Sequence, residues 1–139
     1  MNFTNIHIGN MIRQLVAEKE VEESRILSYF KYTRPELEKI YRSESLDTQL
    51  LLKWSKFLGY DFFRIYTQHL ILYAPPSARN QASRETSLLP VFRKNIYTKE
   101  IIDFILEQIE TRQKSITEVI KEYKIPKTTL YKWLSKYRG

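Results

Sequence analysis

The chain has 139 residues, 42% of them hydrophobic and 28% charged, which is typical of a globular protein with one domain or two small ones. It has no cysteine, which excludes disulfides and thiolate metal sites, and its longest apolar run, Leu70–Ala74, is too short to span a bilayer. The net charge of +7 is uneven, with +1 in residues 1–73 and +3 in each of residues 74–98 and 99–139. Because glycine and proline are rare and no signal peptide is apparent, we expect an all-α protein of the cytoplasm.

Five helices are predicted before Ala74. Apolar residues at helical spacing place the first at about Ile6–Lys19, and similar stripes mark the other four. Their capping candidates are Thr33, Ser45, Asp47 and Asp61 at N-terminal ends and Gly59 at a C-terminal end. Residues 1–73 are therefore expected to form one five-helix domain.

Residues 74–95 are predicted to be a flexible linker. Pro75 and Pro76 end the preceding helix, and the polar residues that follow bury little apolar area. The linker contains four basic residues, which we interpret either as part of a solvated tether or as secondary phosphate contacts: Arg79, Arg84, Arg93 and Lys94.

Residues 96–139 are predicted to form three further helices. The first covers about Lys99–Thr111, Ser115 caps the second, and Pro126 opens the third. The segment Lys124–Gly139 contains five basic residues and no acidic one. The positive charge is thus concentrated in the last predicted helix.

An internal similarity relates two segments at an offset of 93 residues. The matched pairs are Ile26 with Val119, Phe30 with Tyr123, Lys31 with Lys124, Leu37 with Leu130, Lys39 with Lys132, and Ile40 with Trp133. Each segment is predicted to be a helix, a turn of about four residues and a second helix that packs back on the first. Such a unit leaves its second helix projecting, as binding in the DNA major groove requires.

The C-terminal segment SITEVIKEYKIPKTTLYKWLSKY resembles the helix-turn-helix of transposase and resolvase N-terminal domains. The matching parts are Val119–Tyr123, Ile125, Lys127–Thr129 and Tyr131–Trp133. Over about Ile8–Phe62, EVEESRILSYFKYTRPELEKIYRSE and SLDTQLLLKWSKFLGYDFF resemble, more distantly, the five-helix domain of phage repressors and Cro. The stretch KWSKFLGYDFFRIYTQHLILYAP is similar to small bacterial transposase-associated proteins.

The two turns depart from these families, which favour a small residue four positions before a turn glycine. Those two positions hold Leu27 and Lys31 in the first unit, and Ile120 and Lys124 in the second. A lysine in a left-handed conformation costs about 1 kcal/mol or more. We therefore expect turns of a different shape.

The last helix supplies the primary DNA-binding candidates. With Leu130, Trp133, Leu134 and Tyr137 facing inward, the candidates are Lys127, Thr128, Thr129, Tyr131, Lys132, Ser135, Lys136 and Arg138. The hydroxyls of Thr128 and Thr129 can bond to phosphates or bases, and Lys127 and Lys132 can reach guanine acceptors or phosphates. Lys136 and Arg138 can contact only the DNA backbone. The alternative interpretation is an ordinary solvated helix face.

The first unit provides secondary DNA-binding candidates, Arg34, Lys39 and Arg42. Glu38 lies among them and would oppose the phosphate field, although glutamate can accept a hydrogen bond from cytosine. The alternative is a domain that dimerises or binds a partner.

No catalytic constellation is recognised: there is no strand-rich segment for a three-carboxylate phosphotransfer fold, no phosphate loop, and no zinc pattern. We expect no enzyme activity and no cofactor. The predicted function is sequence-selective binding of double-stranded DNA, as a mobile-element protein or a transcription regulator, with a homodimer compatible with either role. The alternative is a helical adaptor that recruits a separate transposase subunit, without a membrane partner.

Overall fold

The computed structural model describes residues 3–74, 88–90 and 97–138, and all regular elements in these ranges are α-helices. They are α1 (Ile8–Glu18), α2 (Glu23–Phe30), α3 (Arg34–Arg42), α4 (Thr48–Leu58), α5 (Phe63–Tyr73), α6 (Lys99–Glu110), α7 (Ile116–Tyr123) and α8 (Lys127–Arg138). The expected all-α class is confirmed for this part of the chain. Most of the predicted linker, residues 74–95, lies outside the described residues.

The chain divides into two compact units, and the division falls between Tyr66 and Thr67, inside α5. The change in composition after Tyr73 coincides with the end of α5. We call the part up to Tyr66 the N-terminal unit and the part from Thr67 the C-terminal unit.

Polar side chains cap the helices where local sequence predicted them. The Asp47 carboxylate accepts a hydrogen bond from the Leu50 N–H at 2.9 Å, and the Ser115 hydroxyl accepts one from the Glu118 N–H at 3.1 Å. The Thr33 hydroxyl does the same for α3. Each cap pairs a backbone donor that the first helical turn leaves unsatisfied, so these residues fix where the helices begin.

In the N-terminal unit, α1 packs against α3 and α4 around one hydrophobic core. The core side chains are Ile8, Ile12, Ile26, Phe30, Leu37, Tyr41, Leu51, Trp54, Leu58, Phe62 and Ile65. The start of α1 meets the end of α3 directly, because the Ile8 N–H donates to the Glu44 carbonyl and the Gly9 N–H to the Ser43 carbonyl, both at 2.9 Å. This contact fixes the end of α3 against α1.

In the C-terminal unit, α6 packs against α7 and α8. Its buried apolar residues include Ile101, Ile102, Ile105, Leu106, Val119, Tyr123, Ile125, Leu130 and Trp133. The Tyr123 hydroxyl donates to the buried Gln108 side-chain oxygen at 3.0 Å, so these two polar groups between α6 and α7 are paired. The helices of the described residues all fall short of the length and apolar character that crossing a bilayer requires.

Candidate nucleic-acid interface

The turn between α7 and α8 is short and anchored. Lys124 ends α7 in the left-handed conformation, with φ 56° and ψ 36°. The Ile125 side chain is 1% exposed, and Pro126 precedes the first residue of α8. Because one turn residue is buried and the next has a fixed φ, the direction in which α8 leaves the turn is well determined.

The outer face of α8 is basic, hydroxyl-rich and free of acid. Leu130 and Trp133 are buried on the inner side. The exposed residues are Lys127, Thr128, Tyr131, Lys132, Ser135, Lys136 and Arg138, while Thr129 is half-buried. The structure therefore brings nearly all of the primary candidates of the sequence together along one exposed helix.

Tyr131 and Lys132 occupy the middle of this face. The Tyr131 side chain is 47% exposed, and the Lys127 ammonium lies 5.8 Å from the centre of its ring. In the part of the chain that the structure describes, Lys132 has no ion-pair partner. Its ammonium group is thus available to a ligand without first breaking an ion pair.

Arg138 differs from the other candidates because its guanidinium lies against α6. It is 2.5 Å from a carboxylate oxygen of Glu110 and 3.7 Å from one of Asp103. These groups border an open groove of about 490 Å³ that Lys99 and Tyr137 also line. Arg138 therefore connects the end of α8 to α6, a long-range contact that local sequence does not predict.

One of the two acidic residues of α7, Glu122, is paired with a lysine. The ammonium of Lys114 forms an ion pair with Glu122, and this hydrogen bond is the main cause of a raised pKa of the lysine. Because the pair is close to neutral, Glu122 weakens the positive field of α8 less than a free carboxylate would.

Helices of the N-terminal unit correspond in sequence position to helices of the C-terminal unit. The first residues of α2 and α7 are 93 positions apart, and so are their last residues. The first residues of α3 and α8 are also 93 positions apart. The predicted correspondence is thus confirmed at these three helix boundaries, whereas α8 ends three residues beyond the position that matches the end of α3. It extends to the preceding helix, since Ile8 and Ile12 of α1 correspond to Ile101 and Ile105 of α6, and all four are fully buried.

The expectation that the two turns would avoid a left-handed lysine, and so differ in shape from the family turn, is wrong. Lys31 adopts φ 58° and ψ 43°, almost the same left-handed conformation as Lys124. This conformation allows the Lys31 and Tyr32 N–H groups to donate to the Leu27 carbonyl, which closes the end of α2. Both lysine side chains are exposed, so the backbone strain of about 1 kcal/mol is not increased by steric crowding.

The secondary candidates are less uniform. Arg34 pairs with Glu23 of α2 at 2.9 Å, so its charge is already balanced. Lys39 and Arg42 are exposed, but Glu38 is exposed as well. The four basic candidates of the linker, Arg79, Arg84, Arg93 and Lys94, lie outside the described residues.

Within residues 3–74, 88–90 and 97–138, no group of three metal-ligating side chains is arranged to hold an ion. The His7 ring instead caps α1, since its Nδ1 accepts a hydrogen bond from the Asn10 N–H at 3.1 Å. Comparison with known proteins finds no matching family model, no similar curated protein and no similar solved structure.

Proposed function

We propose that the protein binds double-stranded DNA sequence-selectively and that α8 is the helix that enters the major groove. The main support is the exposed, acid-free face of α8, which follows an anchored three-residue turn. In this proposal α6–α8 form a helix-turn-helix domain of the kind found in transposases and resolvases, and α1–α5 a repressor-like domain.

The residues of α8 would have different roles according to their position. Lys127, Thr128 and Thr129 lie in the first turn, where the helix dipole and free N–H groups favour phosphate. Tyr131 and Lys132 follow on the exposed face, at the position from which the side chains of such a helix reach base edges. We assign base contact to these two residues and assign Ser135 and Lys136 to the DNA backbone. Arg138 is assigned a structural role.

The N-terminal unit is proposed to give a second, weaker DNA contact through Lys39 and Arg42. Its support is the correspondence of α3 with α8, in which Lys39 takes the place of Lys132. The contact would be weaker because Glu38 replaces Tyr131 and because Arg34 is paired. Two tethered readers raise the local concentration of each at a composite site, as a homodimer would also do.

This function is one of binding and not of catalysis, in either a mobile element or a transcription regulator. A second candidate is a helical adaptor that recruits a separate transposase. It is favoured by one observation on the N-terminal unit, the exposure of Tyr29 and Leu52, which are 47% and 38% exposed.

The proposal is tested by fluorescence anisotropy of the full chain with a randomised duplex pool and with sequences selected from it, at low and high salt. Lys132→Ala should cost about 1–3 kcal/mol of binding free energy on selected sequences and relax the preference at one base pair. Lys136→Ala should weaken binding to all sequences alike and lower the salt slope by about 1. Lys99→Ala, an exposed lysine of α6, is the matched control.

The two outcomes are clearly separated. Salt-dependent binding that is weakened by Lys132→Ala but not by Lys99→Ala supports α8 as the reader. If the full chain does not bind duplex DNA, or if the three variants bind alike, α8 is not a DNA-reading helix.

A further inference from the structure

An open groove of about 570 Å³ lies between α2 and α4 of the N-terminal unit. Tyr29, Leu50 and Leu52 form its apolar part, and Lys53 and Lys56 line it as well. None of these five residues belongs to α3 or α8, so the groove uses none of the residues assigned to DNA contact.

The aromatic floor of the groove is held in place from below. The Tyr29 ring packs on Phe57 at 4.6 Å and on Phe30 at 5.0 Å, and Phe30 in turn stacks on the fully buried Trp54 at 4.1 Å. Tyr29 therefore presents an exposed aromatic surface without free rotation of its side chain. Binding to such a surface loses little conformational entropy, which is a property of interface hot spots.

The charges beside this floor are positive. The Lys53 ammonium lies 5.4 Å from the Tyr29 ring centre, and Lys56 is exposed one helical turn further along α4. The nearby Asp47 carboxylate is engaged as the N-cap of α4, because it accepts a hydrogen bond from the Leu50 N–H. Among the groove-lining residues in the described part of the chain, two lysines thus stand against one capping carboxylate, which leaves the lining with a net positive charge.

We propose that this groove binds an acidic segment of a partner protein, in which an apolar side chain lies on Tyr29 and Leu52 and neighbouring carboxylates face Lys53 and Lys56. Charge complementarity favours an acidic segment, and the exposed apolar floor favours a peptide over a nucleic-acid backbone. The groove would thus let the protein recruit a second protein independently of any DNA contact.

The test is selection of peptides of about sixteen residues from a random displayed library on the full chain. Enriched peptides should combine Asp or Glu with a central Leu, Phe or Trp. A synthetic copy of the best peptide should shift the backbone NMR signals of Tyr29, Leu52 and Lys53 in the isotope-labelled full chain.

Charge reversal separates this site from other basic surfaces. The Lys53→Glu/Lys56→Glu variant should bind the acidic peptide at least about tenfold more weakly and bind a copy with Lys in place of Asp and Glu more tightly than the parent does. Arg13→Glu reverses an exposed charge on α1 of the same unit and should leave peptide binding unchanged. Preserved NMR dispersion in both variants shows that they are folded.

Three results would overturn the proposal. They are a selection without enrichment, equal binding of the acidic peptide by the parent and the Lys53→Glu/Lys56→Glu variant, and NMR shifts centred on α8. The last result would assign acidic peptides to the DNA-binding face. If the groove instead holds a second copy of the chain, selection will give no enrichment, and the parent will sediment as a dimer while the Lys53→Glu/Lys56→Glu variant sediments as a monomer.

Discussion

Gly9 offers the sharpest test of how the N-terminal unit is built, because there α1 touches the end of α3 backbone to backbone. A Cβ atom added at Gly9 would lie 2.4 Å from the Ile40 carbonyl oxygen, 2.5 Å from that of Tyr41 and 2.7 Å from that of Ser43. Ordinary carbon–oxygen contacts are about 3.3 Å or longer. The Gly9→Ala variant therefore requires α1 to retreat from α3 by roughly 0.9 Å.

That retreat determines the size of the effect. The hydrogen bonds from Ile8 to Glu44 and from Gly9 to Ser43, both 2.9 Å long, would lengthen beyond the range of a hydrogen bond. Each buried donor left unpaired costs about 1–3 kcal/mol, whereas alanine in place of glycine returns about 1 kcal/mol of helix propensity. We expect Gly9→Ala to lower the free energy of unfolding of the N-terminal unit by about 2–4 kcal/mol.

The assay uses the two tryptophans of the chain, one in each unit. In a Trp133→Phe background, urea unfolding followed by the fluorescence of the buried Trp54 reports the N-terminal unit alone. Asn10→Ala changes the neighbouring exposed residue of α1 and should alter stability by less than about 0.5 kcal/mol. A Gly9→Ala variant as stable as Asn10→Ala would refute the close approach of α1 and α3.

Three further predictions concern other parts of the structure. Lys124→Gly should raise the unfolding free energy of the C-terminal unit by about 1 kcal/mol, measured by Trp133 fluorescence, because glycine adopts the left-handed conformation without strain; a loss of stability would contradict this. Because the Arg138–Glu110 ion pair is half-exposed, Arg138→Ala should lower the free energy of unfolding by about 0.5 kcal/mol at low salt and leave it unchanged at high salt. Glu110→Gln should add little to this loss in a double-mutant cycle, because the ion pair is already broken. Burial raises the pKa of Tyr41, so the folded state favours the neutral phenol. The neutral phenol therefore contributes fully to the free energy of unfolding below about pH 10, and this contribution is lost as the pH rises through the raised pKa. Urea unfolding at increasing alkaline pH should therefore show a shallower decline for Tyr41→Phe, and an unchanged slope would exclude Tyr41 as its source.

Helix positions could be predicted from sequence because they depend on neighbouring residues. Asp47 and Ser115 cap the helices that follow them, and Gly59 ends α4 in the left-handed conformation. In each case the signal is a residue type within one turn of the boundary it fixes. The candidate face of α8 was predictable for the same reason, since helical periodicity alone separates Lys132 from Trp133.

Features that depend on distant residues could not be predicted in this way. The partner of Arg138 is Glu110, on another helix, and the contact of Gly9 is with the end of α3. The turn at Lys31 was mispredicted because residue preference disfavours lysine there, whereas the backbone hydrogen bonds that close α2 favour the left-handed conformation. The groove at Tyr29 could not be predicted because periodicity places Tyr29 outside the buried stripe of α2 but does not show which residues of α4 lie beside it.

The constant offset between the two helix pairs makes the protein modular for engineering, although α8 continues for three residues beyond the position that matches the end of α3. The segments Glu23–Arg42 and Ile116–Ser135 are equally long, and each has its left-handed lysine at the same position. Over the nine positions that α3 and α8 share, the exposed side chains of one helix can therefore be transplanted onto the other without replacing a buried residue. Such chimaeras would carry the exposed face of α3 twice, the exposed face of α8 twice, or the two faces exchanged between the units.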